Sequence, residues 1–206
     1  MGKSIKQKKR LEEILDFVQL TNNFAYVYRD KTKNDGGRES DSEHSYQLAI
    51  VCWYLNNKFA LGLNDERILK YSLVHDLTEI YEGDVPSVLK GRDQKVAKKV
   101  KLSEDKAIER LGKEFKDLDF LIKYIKDYEN AIDEEARFVF ATDKLIPMIF
   151  VYQTDADNYF HKHKITFEEN KRIQISRTKV FPFIYELFIE LAEFCEKKGI
   201  FYKEKS

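Results

Sequence analysis

The chain has 206 residues, 43% of them hydrophobic and including 15 Phe and 12 Tyr, enough to fill one sizeable core. Its 36 basic and 36 acidic side chains cancel to a formal net charge of +0, which argues against nonspecific nucleic-acid binding. With 8 Gly and 3 Pro there are few residues for the turns of an all-β protein, so helix is favoured from composition alone. No apolar run approaches the ~20 residues of a membrane span. Cys52 and Cys195 lie far apart and form no CxxC, which fits a reducing compartment. Met1 to Lys6 is basic but lacks the apolar core of a signal peptide, so a cytoplasmic location is expected.

Residues 4–20 place Ile5, Leu11, Ile14, Leu15, Val18 and Leu20 on an apolar stripe, predicting an amphipathic helix that Asn22-Asn23 can stop. Residues 24–29 read as a short extended piece. Residues 31–37, ending Asn-Asp-Gly-Gly, read as a loop. Ser40-Asp-Ser-Glu43 matches a capping box and predicts a helix running to about Leu61. His44 lies on its first turn, in line with Leu48, Val51 and Leu55. Taken alone, such a residue is more often a core histidine bonded to a carbonyl than a ligand.

Asn64-Asp65 caps a helix expected over 65–80. Its apolar residues Ile68, Leu69, Leu73, Val74 and Leu77 cover much of the circumference, which marks a central helix. Its end carries His75, Asp76 and Glu79, with Asp84 on the turn before Pro86. If the helix continues through Glu79, residues 75, 76 and 79 stand at roughly 0°, 100° and 40° around its axis. Burying such a cluster without partners costs several kcal/mol, so it calls for a cation, a substrate or water.

Residues 92–112 predict an exposed, strongly charged helix or lid, and 117–129 another amphipathic helix. A longer helix over about 133–155 holds Asp143 inside the most apolar stretch of the chain. A lone carboxylate there needs a partner or a metal. Its neighbour Lys144 diverges by about 100° and is a poor candidate. Pro147 lies four residues on and cannot donate to the carbonyl of Asp143, so the helix is expected to bend there. His161 and His163 sit among lysines and read as solvated rather than as a ligand pair. Helices over about 166–180 and 182–198 close the chain, the second opening at Pro182.

His44, His75, Asp76 and Asp143 together offer two imidazoles and two carboxylates on three predicted helices. That donor set suits one divalent ion: Mn²⁺, Co²⁺, Fe²⁺, Ni²⁺, Zn²⁺ or Mg²⁺. Open positions on such an ion would take water and a phosphate oxygen, the arrangement for phosphoester hydrolysis at neutral pH.

The full pattern resembles the HD-domain metal-dependent phosphohydrolases. It comprises Ser42-Glu43-His44-Ser45, His75-Asp76-Leu-Thr-Glu79, Gly83-Asp84-Val-Pro86 and Thr142-Asp143-Lys144-Leu145. The HDxxE and GDxP spacing is similar to the 5′-deoxynucleotidase branch. The resemblance implies an all-α fold, an HD-domain helical bundle with a metal site between central helices. It covers roughly residues 10–155, with the helices at 166–198 packing on that core, so residues 1–206 are read as one domain. It implies His44, His75, Asp76 and Asp143 as metal ligands, and Glu79 as the group that orients or deprotonates the attacking water. Asp84 becomes a second acid near the leaving oxygen. Related enzymes place an Arg ahead of the E-H-S motif to hold phosphate, and Arg29 and Arg38 both stand there. Asp30 follows Arg29 where the nucleotidases often carry Trp.

The implied activity is phosphomonoester hydrolysis of nucleoside 5′-monophosphates. Hydrolysis of a nucleoside triphosphate, a cyclic nucleotide or a non-nucleotide phosphate is the first alternative, and a non-catalytic regulatory module the second. The expected partner is a small phosphorylated substrate, with neither nucleic acid nor membrane. Related enzymes are often dimers, so residues 181–194 are either a homodimer interface or the last core helix.

Overall fold

The computed structural model describes residues 5–154 and 158–204, the side chains of residues 5–8 excepted. Helix α1 (Ile5–Phe24) leads into a small antiparallel hairpin, β1 (Tyr28–Thr32) and β2 (Arg38–Ser40). The expected extended piece therefore begins later, because Phe24 is still helical and buried. Asn-Asp-Gly-Gly turns the hairpin: Gly36 takes φ 83°, and Asp35 accepts from the Gly37 N–H at 2.9 Å. The first residues of the expected loop, Lys31 and Thr32, are strand.

Helix α2 (Asp41–Lys58) opens with the anticipated capping box, Ser40 accepting from the Glu43 N–H while Glu43 accepts from the Ser40 N–H. It stops short of Leu61 because the Asn56 amide turns the chain, donating to the Leu63 carbonyl at 2.9 Å and accepting from its N–H at 3.1 Å. The helix expected over 65–80 is two pieces, α3 (Asp65–Val74) and α4 (Glu79–Glu82). Between them the backbone bonds tighten from i−4 to i−3: Leu77 donates to Val74 at 3.2 Å, Glu79 to Asp76 at 2.9 Å.

Helix α5 (Ser87–Arg92) was not apparent in the sequence, whereas α6 (Gln94–Glu114) and α7 (Asp119–Glu129) fall near the expected spans. Helix α8 (Glu134–Thr154) runs through the middle, packed against α2, α3, α7 and the later helices α10 (Phe167–Thr178) and α11 (Pro182–Lys197). Ala136, Phe138, Val139, Ala141, Leu145, Ile146 and Val151 are buried around its circumference, as a central helix requires. Ser4 and Asp155, the outer ends expected for the first helix and for α8, lie outside the described residues. A single turn, α9 (Tyr159–Lys162), carries His161 exposed, while His163 at its end is half-buried against the Tyr159 ring.

Ile184, Phe188, Ala192 and Cys195 on α11 are buried at helical spacing in the main core, so this is a core helix. A second cluster joins Leu20 and Phe24 to Leu77, Ile108, Leu111, Leu121 and Ile125. The stripe predicted on α1 is not a core face: Leu11, Ile14, Leu15 and Val18 are exposed, and Leu20 is buried. Ile5 lies outside the described side chains. Periodicity reports that one side of a helix is apolar, not that anything covers it. Among the described residues no helix is long and apolar enough to cross a membrane.

Candidate metal centre

Three elements converge on one buried point. The capping box fixes where α2 begins, which places His44 on its first turn against α8. The end of α3 delivers His75, and the tightened turn after it swings Asp76 to the same side. Asp143 comes from the middle of α8, where Pro147 cannot supply the N–H its carbonyl would receive in a regular helix. His44, His75 and Asp143 are fully or almost fully buried, and each presents a donor atom within 4.8 Å of the others.

The hydrogen bonds fix how these groups point. His75 Nδ1 lies 2.9 Å from the Ser72 carbonyl, an acceptor only, so Nδ1 carries a proton and, in the neutral ring, Nε2 holds the lone pair. His75 Nε2 lies 2.9 Å from Asp76 Oδ2 and 3.9 Å from Asp143 Oδ1, yet makes no hydrogen bond of acceptable geometry. A buried ring nitrogen left without a hydrogen bond beside two carboxylates is free to serve as a ligand. His44 Nε2 meets Asp143 Oδ1 at 2.9 Å, while its Nδ1 faces Glu39 at 3.8 Å. Tyr128 donates to the other oxygen of Asp143 at 3.2 Å. This orphaned nitrogen among buried carboxylates, all of N or O type, fits a divalent cation.

A ring of further charges surrounds the cluster. Arg29 on β1 reaches Asp76 at 3.1 Å, Asp41 at 3.3 Å and Glu39 at 3.6 Å. Arg38 lies away from it: its guanidinium donates to the carbonyls of Arg29 and Tyr28, both at 2.8 Å, and braces the hairpin. Lys144 pairs with Asp143 even though neighbours on a helix diverge, because its long stem bends back. Glu79 sits beside Asp41 and Asp76, their donor atoms within 4.8 Å of one another. Asp84, on the turn that Gly83 makes at φ 76°, lines a cavity with Arg29, Asp76, Glu79 and Asp143.

This crowding sets the protonation states. Burial, with Asp76, Asp41 and Asp84 adding to it, pushes Glu79 well above the usual carboxyl range. Asp41 is raised by burial to about 6, with Asp76 and Asp84 adding to the rise and Arg29 opposing it. Among the described residues, Asp41 Oδ2 and Glu79 Oε2 are buried without a hydrogen-bond partner. Asp84 is raised by burial against the pull of Arg29 and Lys31. Burial works against ionisation of Asp143, but Lys144 and the two histidines outweigh it and hold the carboxyl well below its ordinary range. His75 is raised: burial lowers it, and Asp76 and Asp143 prevail.

Asp41, Glu39 and Tyr128 were not anticipated from the sequence. Asp41 was hidden by the capping box, where an acid at a helix start needs no further reason. Glu39 and Tyr128 carry no motif.

A sequence profile described as HD domain matches residues 23–182. The chain is 31% identical over 151 residues to proteins named 5′-deoxynucleotidase from Yersinia pestis (strain Pestoides F) and Yersinia pseudotuberculosis serotype O:3 (strain YPIII), covering 59% of this chain and 77% of each relative. Among solved structures, one titled predicted metal-dependent phosphohydrolase from Magnetospirillum magnetotacticum MS-1 superposes with a TM-score of 0.78 at 21% identity, covering 94% of this chain and 99% of that one. A conserved hypothetical protein from Pyrococcus furiosus gives a TM-score of 0.59 at 23% identity, covering 87% and 99%.

Proposed function

Because this chain belongs to the HD-domain family of metal-dependent phosphohydrolases, we propose that it is a phosphomonoesterase acting on nucleoside 5′-monophosphates. The observation that carries this reading is the grouping of His44, His75 and Asp143 with donor atoms within 4.8 Å of one another, with Asp76 Oδ2 2.9 Å from His75 Nε2 and Glu79 grouped with Asp76 beside it. Those four residues would hold the divalent ion. When bound, the ion supplies Lewis acidity toward a phosphoryl oxygen and lowers the pKa of a water. The names carried by the Yersinia relatives support the nucleotide substrate.

The remaining work falls to side chains of this chain. Glu79, with its affinity for protons raised by burial and neighbouring acids, accepts the proton of the attacking water, the task such tuning suits. Asp84 lines the same cavity as Glu79 and is raised by burial, which supports giving it the delivery of a proton to the leaving oxygen or the holding of the sugar hydroxyl. Arg29 ties Asp76 to Asp41 and Glu39, holding the ligand carboxylate in place. Helices α10 and α11 share the core of α8, which supports reading the chain as one domain.

One feature favours hydrolysis of a different phosphoester. Asp30, where the nucleotidases often carry Trp, accepts a hydrogen bond from Tyr159 at 2.7 Å, so this corner offers no stacking surface from β1. The experiment is phosphate release from a panel of ribo- and deoxynucleoside 5′-monophosphates, triphosphates, cyclic nucleotides and simple phosphomonoesters, with Mn²⁺, Co²⁺ or Mg²⁺. Release from the 5′-monophosphates, abolished by EDTA and by His75→Ala, supports the reading. Release from another class alone replaces the substrate.

A further inference from the structure

The carboxylate-rich cluster opens onto a second cavity, of about 310 Å³, lined by His75, Asp76 and Glu79 together with Lys90, Tyr128 and Arg177. Arg177 belongs to α10, in the part of the chain where no sequence motif was found. It is half-buried, yet among the described residues its side chain has neither a hydrogen bond nor an ion pair. Burial lowers its pKa, with Asp143 and Tyr128 only partly offsetting that. A desolvated guanidinium without a carboxylate is costly to keep. The side chain of Lys90, on α5 and lining the same cavity, also has no hydrogen bond or ion pair among the described residues, although Glu82 and Glu104 lie within reach of its charge.

The packing of α5 on α10 places these two cations. Arg92 clamps Glu169 with contacts of 2.7 and 2.8 Å and reaches the His163 carbonyl at 3.0 Å. One residue back, Gly91 lies so close to Ile173 that a Cβ there would sit 2.8 Å from its side chain. Glu169, Ile173 and Arg177 follow at i, i+4 and i+8, so they share one stripe of α10. The first two members of that stripe are bound to α5 and the third reaches the cavity. The other cations are already engaged: Arg29 by three carboxylates, Lys101 by Glu129 at 2.6 Å and Asp105 at 3.1 Å, Lys144 by Asp143.

We propose that Arg177, assisted by Lys90, is the phosphate-binding cation of this site, gripping phosphoryl oxygens that face away from the ligand cluster. Guanidinium geometry suits two such oxygens at once, and the grip satisfies a charge that is otherwise unpaired. The proposal rests on reading the cluster as a phosphoryl site. It transfers to the C-terminal part of the chain a role that the family resemblance places on Arg29 or Arg38.

The test is calorimetric binding of inorganic phosphate to the metal-loaded full chain, beside KM and kcat for whichever phosphoester is hydrolysed. Arg177→Ala and Arg177→Gln should weaken phosphate binding by about 10-fold or more, the cost of losing a charged hydrogen-bond partner. Arg177→Lys should recover part of the loss. KM should rise with metal content and thermal midpoint unchanged, and Arg172→Ala, on the exposed side of α10, should behave as wild type. Undiminished phosphate binding in Arg177→Ala overturns the proposal, as does absence of phosphate binding by the loaded wild type. Phosphate binding that depends on Arg177 without turnover of any nucleotide leaves the anion site standing and removes the nucleotidase reading.

Discussion

The protonated acids around the cluster make the stability of the metal-free protein depend on pH in a particular direction. Asp41 is raised by burial from 3.8 to about 6, and Glu79 is pushed well above its ordinary range by burial and the neighbouring acids. Both bind protons more tightly folded than unfolded. Their contribution is therefore complete near pH 4 and is lost as pH rises through their folded values. His75, also raised, adds a loss in the same direction above its ordinary value of 6.5. Asp76 and Asp143 are depressed and act oppositely, but they lose their contribution only as pH falls below the ordinary carboxyl range.

At about 1.4 kcal/mol per unit of displacement, the shift of Asp41 corresponds to about 3 kcal/mol, a figure that belongs to the Asp41–Glu79 pair rather than to either alone. For a chain of this size, about 2–4 °C of thermal midpoint per kcal/mol gives about 6–12 °C. The assay is Tm in EDTA from pH 4.5 to 7.5, repeated with Mn²⁺ or Co²⁺. The metal-free Tm should fall over that range, and a bound cation, replacing the protons, should flatten the fall. Asp41→Asn should flatten it without metal. A metal-free Tm that stays level or rises between pH 4.5 and 7.5 refutes this account of the acids.

Three further outcomes are expected. His44→Ala and Asp143→Ala each remove a donor from the cluster, so elemental analysis after reconstitution should show metal content well below that of wild type. Glu79→Gln keeps the shape of the side chain but cannot accept a proton, so kcat should drop by about 10²–10⁴ with metal content retained, as measured by phosphate release. Phe188→Ala empties a fully buried position on α11 and should cost about 3–5 kcal/mol by urea denaturation, against near-zero cost if α11 were peripheral.

The parts of this molecule legible in sequence were those where local chemistry and tertiary structure agree. Ser40 and Glu43 announced the start of α2, and hence the position of His44. Asp143 stood out because a carboxylate in an apolar helix needs a reason. The break at His75–Thr78 was not legible, since Leu73, Val74 and Leu77 continue a helical pattern while the backbone tightens to bring Asp76 round to His75. Helix α5 is only six residues long and carries no periodic signal. The exposed stripe on α1 shows the converse failure, a strong pattern with no core behind it among the described residues. Arg177 was out of reach for a third reason: its significance lies in the partner it lacks, and that is a property of packing.

The central claim is tested most directly by phosphate release from nucleoside 5′-monophosphates by the metal-reconstituted full chain, with the His75→Ala variant alongside. Release by the wild type that stops on adding EDTA, resumes on restoring the ion and is absent from the variant is the predicted result. Release that survives EDTA, or that is equal in His75→Ala, would contradict the assignment of the His44, His75, Asp76 and Asp143 cluster as the working centre.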